Sequence, residues 1–270
     1  MSSKTHLNQA IASHLVEMKV DSVPDKEIFI FERGAHGEDI LTYQKLHDNS
    51  NKIARMLLDN GIGEGDTFAV FMRNEPEFVY SLLAGTTMGA IMIPIDPRSR
   101  GERLSFFFKN SGAKAAIVSD ECMEQVNEII GDLREVKLIS VAYRPEHGIP
   151  VDSRFHVLNE TLEKDSWQRV DQKVFDVRHP MQIIYTSGTT GDPKGVKIRN
   201  NRTGVYNILN QLVWKYRQTD VLYNGLSLTH GNAQAVTLFP ALYAGIKAVF
   251  SPRFTKSRIW DICRKYGCTT

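Results

Sequence analysis

The sequence predicts an α/β fold, with mostly parallel sheets flanked by helices, and three observations carry that prediction. Short strands that are apolar on both faces recur along the first half, among them TFAVFM (67–72), AIMIPI (90–95) and AAIVS (115–119). Helical stretches alternate with them. Strands of this kind are buried on both sides, as in parallel sheets whose crossover helices cover both faces. The third observation is size: 270 residues, 42% hydrophobic and 24% charged, suffice for a large core and are ordinary for a globular chain.

The elements follow in order. MSSKTHLNQAIASHLVEMKV reads as an amphipathic helix with Leu7, Ile11, Leu15 and Met18 on one face, and it lacks the apolar core of a signal peptide. A second helix is expected over 42–60, with Leu46, Ile53, Leu57 and Leu58 at helical spacing, Thr42 as its cap and Gly61 as its stop. The strand 67–72 leads to a helix over 75–88 with Pro76 in its first turn. Strand 90–95, helix 102–110, strand 115–119, a helix around 121–130 and strand VKLISV (136–141) complete the alternation. Phe78 to Ile95 carries no charge, but Ser81, Gly85, Thr86, Thr87 and Gly89 interrupt it, so it reads as helix, turn and buried strand rather than a membrane span. The turn Gly61-Ile62-Gly63-Glu64-Gly65 follows a helix and places its third glycine too early for a dinucleotide fingerprint.

Three regions result: a first α/β region over 1–142, a connection over 143–180 with one short helix near 158–164, and a region over 181–270. The last opens on the strand MQIIYTS (181–187), continues with a strand over 196–199 and a helix capped by Asn200 or Asn201, and has a further strand near Leu226 followed by a helix over 233–243. SRIWDICRKYG (257–267) is a helix with Ile259, Ile262, Cys263 and Tyr266 on one face, stopped by Gly267, and Cys268-Thr269-Thr270 begins a next strand. A βα unit without its closing strand points to a fragment of a longer protein. Tyr206, Trp214 and Tyr223 are expected to pack in the core or at its rim.

Lys+Arg number 33 and Asp+Glu 31. This near balance demands no polybasic face, so neither nucleic acid nor an anionic membrane is the expected partner. Three cysteines, Cys122, Cys263 and Cys268, lack paired spacing, which fits a reducing cytoplasm better than a disulfide framework or zinc site.

The chemistry concentrates in residues 186–195, where four hydroxyls, three glycines and one lysine stand together: Thr186-Ser187-Gly188-Thr189-Thr190-Gly191-Asp192-Pro193-Lys194-Gly195. Glycine lets backbone N–H groups approach an anion, successive N–H groups form an anion-binding nest, and Lys194 supplies a point charge for a polyphosphate. Pro193 before Lys194 and Gly195 after it exclude a Walker A loop. On composition alone, a polar surface loop that binds nothing fits equally well.

As an ordered string, YTSGTTGDPKGV (185–196) resembles the phosphate-binding motif of the adenylate-forming superfamily, which includes acyl-CoA synthetases, luciferases and the adenylation domains of peptide synthetases. The stretches 39–79, 82–120 and 226–250 and the ending FTKSRIWDICRKYGCTT also resemble acyl-CoA synthetases, with wording closest to ligases similar to carnitine/crotonobetaine-CoA ligase. The resemblance implies part of a large N-terminal domain and ATP-dependent activation of a small-molecule carboxylic acid to acyl-AMP, with transfer to coenzyme A. ATP, Mg2+ and coenzyme A are the implied cofactors. Thr186, Ser187, Gly188, Thr189, Thr190, Gly191 and Lys194 would grip the β- and γ-phosphates, with Lys194 acting on the reacting charge. His230, Gly231 and Asn232 would border the acyl pocket, with His230 as a gate or positioning group; from the residues alone, a lone histidine is more often structural. The glutamate associated with magnesium, the aspartate that holds the ribose, the hinge and the C-terminal-domain lysine of such enzymes map to no position here. An adenylation domain loading a carrier protein and a non-catalytic nucleotide-binding fragment are the alternatives.

Overall fold

The computed structural model describes residues 7–186 and 192–270. Its helix α1 (Ala12–Ser22) buries Ala12, Leu15 and Val16. Two strands then pair antiparallel, β1 (Glu27–Glu32) and β2 (Glu38–Thr42), where the sequence reading places no element. Thr42 caps α2 (Tyr43–Asp59), its side chain accepting the Lys45 amide at 3.2 Å. The predicted alternation continues as β3 (Thr67–Phe71), α3 (Pro76–Met88), β4 (Ile91–Ile95), α4 (Gly101–Ser111), β5 (Ala115–Ser119), α5 (Met123–Glu128) and β6 (Leu138–Ala142). Every residue of α3 is buried, and no described helix is long and apolar enough to cross a membrane. Gly89 ends α3 at φ 80°, and a Cβ there would lie 2.8 Å from Glu64 Cγ, so the turn into β4 requires glycine.

After β7 (His156–Val157) and α6 (Leu158–Leu162) come β8 (Pro180–Thr186) and β9 (Lys194–Arg199), α7 (Asn201–Leu209), β10 (Val221–Asn224), α8 (Gly231–Ala233), α9 (Phe239–Ala244), β11 (Lys247–Phe250) and α10 (Ile259–Tyr266). Three details differ from expectation. Asn200 makes no capping bond; it is buried, and its side-chain amide donates to the His179 carbonyl at 3.0 Å. The strand expected near Leu226 ends at Asn224, and Leu226 is exposed because the chain turns away under the control of Asn74, described below. The helix expected over 233–243 begins at Gly231 and contains a wide turn at Gln234–Leu238.

Two sheets organise these elements. The larger runs β7-β6-β5-β3-β4-β8-β9, parallel throughout except for the β8–β9 pair. The smaller runs β10-β11-β1-β2. The larger sheet is covered on both faces: Phe68 and Val70 join the core beneath α2 and α3, whereas Ala69 and Phe71 pack with Leu104, Phe107 and Val126 of α4 and α5. On the smaller sheet, Ile30 and Val249 pack against Ile262 of α10. Cys268–Thr270 extend beside β10, with the Thr269 amide donating to Val221 O and the Tyr223 amide to Thr270 O, each at 2.9 Å. The described cysteines are all free, and burial pushes the Cys122 thiol up to about 12, which leaves it inert.

Candidate functional site

Strands β8 and β9 form the arms of the glycine- and threonine-rich loop. Their antiparallel register sets Tyr185 opposite Gly195 and Thr186 opposite Lys194, with Thr186 Oγ1 donating to Lys194 O at 3.4 Å. Ser187, Gly188, Thr189, Thr190 and Gly191 lie outside the described residues. The arms fix where that loop leaves and rejoins the sheet. Tyr185 anchors one arm: its ring packs 4.8 Å from that of Phe107, and its hydroxyl donates to Asn110 at 2.6 Å. Gly195 fits the other arm closely, since a Cβ there would lie 2.8 Å from Ile183 Cγ2. The Lys194 side chain is exposed, and among the described residues no carboxylate is paired with it. An exposed ammonium beside closely approached backbone suits the phosphates of a nucleotide.

The segment around His230 is drawn to the same end of the sheet. His230 precedes α8, half-exposed, with Nε2 3.4 Å from Asp96 Oδ2. Asp96 directly follows β4, which neighbours β8 in parallel register with Met92 opposite Gln182. Four residues further along each strand, Asp96 comes level with Thr186, about one strand spacing away. Thr186, Lys194 and His230 thus share the carboxyl ends of β4 and β8, the position where open α/β sheets hold ligands. Gly231 faces β8, with Ile184 Cδ1 3.9 Å from where its Cβ would be, and Asn232 is exposed. Burial works against the Asp96 carboxylate, but hydrogen bonds from the Arg98 side chain and amide, with the charges of Arg98 and His230, outweigh it and hold it below its ordinary range.

Residues that the sequence reading passed over hold this geometry. Gln182 and Gln234 exchange side-chain hydrogen bonds at 2.9 and 3.0 Å, both buried, and Gln234 also donates to Leu228 O at 2.8 Å. Asn74, just after β3, donates to Leu226 O and Ser251 O at 2.8 Å each and accepts the Leu228 amide at 2.7 Å. It thereby joins the two sheets and shapes the approach to His230. Arg144 forms a second junction, 2.7 Å from Glu77, 3.7 Å from Asp39 and 3.9 Å from Glu75, beside a cavity of about 300 Å3. Burial pushes Glu75 well above the usual carboxyl range, the charge of Glu77 adds to this and Arg144 opposes it; Glu77 is raised by burial as well.

Comparison with known proteins agrees with this architecture. The chain is 33% identical over 233 residues to human long-chain fatty acid transport protein 1, covering 84% of this chain and 35% of that one. It is 27% identical over 249 residues to crotonobetaine/carnitine–CoA ligase of Salmonella typhimurium, covering 91% of this chain and 47% of the ligase. Its fold superposes on acetoacetyl-CoA synthetase from Streptomyces lividans with a TM-score of 0.82 at 19% identity, over 96% of this chain and 41% of the synthetase. The chain therefore spans less than half the length of these proteins. The sequence profile of the AMP-binding enzymes matches residues 16–270, taking in both sheets, the β8–β9 hairpin and the His230 segment, and the chain belongs to that family.

Proposed function

We propose that the protein to which this chain belongs activates a carboxylic acid with ATP and passes the acyl group to coenzyme A. A free carboxylate is a poor acyl donor because oxide would have to leave. In the proposed first step a carboxylate oxygen attacks the α-phosphorus of ATP and pyrophosphate departs, leaving acyl-AMP. In the second, the thiol sulfur attacks the acyl carbon, AMP departs with the bonding electrons, and the thiol proton is lost. The acid is its own nucleophile, so the protein's task is to position the reactants and neutralise charge at the phosphates.

The observation that supports this reading most is the shared location of Thr186, Lys194 and His230 at the carboxyl ends of β4 and β8. Thr186, Ser187, Gly188, Thr189, Thr190, Gly191 and Lys194 would hold the β- and γ-phosphates, with the exposed Lys194 ammonium opposite the departing pyrophosphate. Magnesium bound to the triphosphate would supply further charge neutralisation; its ligands and the coenzyme A contacts are assigned to none of these residues. His230, flanked by Gly231 and Asn232, would position the acid, with Asp96 orienting the imidazole.

The test is acid-dependent exchange of pyrophosphate into ATP by the full-length protein, over an acid panel from acetate through long-chain fatty acids to crotonobetaine. Thioester formation is then measured with and without coenzyme A. Exchange with at least one acid and thioester only with coenzyme A support the proposal. Exchange followed by loading of a carrier-protein thiol would make the chain part of a carrier-loading enzyme, and nucleotide binding without exchange would make it non-catalytic.

A further inference from the structure

The stretch that follows the β8–β9 hairpin turns most of its aliphatic side chains outward. In α7 and the wide turn after it, Asn210–Trp214, the inner side carries Tyr206, stacked on Phe239 with ring centroids 5.8 Å apart, and two buried polar residues. Thr203 is fully buried, bonding Ala10 O at 2.8 Å and the Tyr243 hydroxyl at 2.6 Å, and Asn210 is buried with its carbonyl accepting the Lys215 amide at 2.6 Å. The five aliphatic residues point out: Val205 is 43% exposed, Ile208 54%, Leu209 36%, Leu212 69% and Val213 63%. Their spacing of three and four makes one continuous stripe on a helix. Among the described residues thirteen large apolar side chains are exposed, and five lie in this one turn-and-helix segment. A contiguous apolar face of this kind marks an interaction surface rather than scattered surface residues.

Charge indicates what covers it. Residues 196–219 contain five cations, Lys197, Arg199, Arg202, Lys215 and Arg217, and no Asp or Glu. All five are exposed, and Arg202 and Lys215 sit at the two ends of the stripe. The near-zero net charge of the whole chain conceals this local excess. An apolar stripe bounded by cations alone is the pattern of a helix that lies in a lipid–water interface, its apolar face among the acyl chains and its cations at anionic headgroups. We propose that α7 and the turn to Trp214 dock on an anionic lipid surface. The proposal does not depend on Lys194 or on any step of catalysis.

Sedimentation of the full-length protein with phosphatidylcholine vesicles, with and without phosphatidylserine, tests it. The expected result is co-sedimentation with the phosphatidylserine vesicles that weakens as salt is added. Leu212→Glu/Val213→Glu should abolish binding without lowering the unfolding midpoint. Each charge removed in the series Arg202→Gln, Lys215→Gln, Arg217→Gln should lower vesicle partition about fivefold. If the glutamate pair prevents folding, the charge series decides. Equal binding to both vesicle types, full binding by the glutamate pair, or an unchanged partition across the charge series would overturn the proposal. So would lipid-independent self-association lost with Leu212→Glu/Val213→Glu, which would identify the occupant as a second copy of the chain.

Discussion

Gln182 and Gln234 are 52 residues apart in sequence and form a reciprocal amide pair in the core, donating to each other at 2.9 and 3.0 Å. Gln182 lies on the strand that leads to Thr186, and Gln234 on the helix that His230 precedes. Through this pair the two halves of the proposed site are held in one register.

Removing one member strands the other in a dry interior. Gln234→Ala is expected to destabilise the fold by about 1–3 kcal/mol. Denaturant unfolding of both single variants and the double variant checks this: the double should cost less than the sum of the singles. Strict additivity would show that the two amides are not coupled.

The hairpin arms make a steric prediction. Gly195→Ala puts a Cβ 2.8 Å from Ile183 Cγ2, against a stiff β-branched side chain. The expected cost is about 1–3 kcal/mol of stability, together with reduced nucleotide affinity. Ile183→Ala in the same chain should restore part of that affinity, as read by an ATP titration. Absence of any rescue would locate the effect elsewhere.

His230→Ala should change which acids are accepted while ATP binding holds, because the residue lies beside Asp96 rather than on the hairpin. Comparing kcat/KM across the acid panel in the full-length protein checks this. An unchanged acid profile would remove His230 from the acyl pocket.

The buried carboxylates make a prediction about pH. Glu75 and Glu77 have folded-state pKa values raised above the ordinary value, so the folded form holds their protons more tightly than the unfolded chain does. Their stabilising contribution is full below the ordinary carboxyl range and is lost as pH climbs through the folded values. Glu75→Gln should flatten that decline, measured by chemical unfolding between about pH 4 and 8. An unaltered slope would mean that Arg144 already compensates the charge.

Much of the larger sheet is legible in the sequence because burial on both faces writes continuous apolar runs, as in AIMIPI and AAIVS. The strand Glu27–Glu32 escapes the reading: EIFIFE is short and charge-bounded, and only one of its two partners, Glu38–Thr42, is near in sequence, while the other, Lys247–Phe250, is distant. Thr186 and Lys194 are legible as members of one ordered motif. Gln182, Gln234, Asn74 and Arg144 are not, because each is a single polar residue whose role arises only when distant segments meet. Nor does net charge disclose the basic flank of α7, since acids elsewhere cancel it.

The most direct measurement of the central claim is acid-dependent exchange of pyrophosphate into ATP by the full-length protein, before and after Lys194→Ala. Lys194 is exposed, so the variant should fold as the parent does. Losing a charge that meets the departing pyrophosphate should slow exchange about 10²–10³-fold. Exchange at the parental rate would show that this lysine, and the hairpin that carries it, do not hold the phosphates.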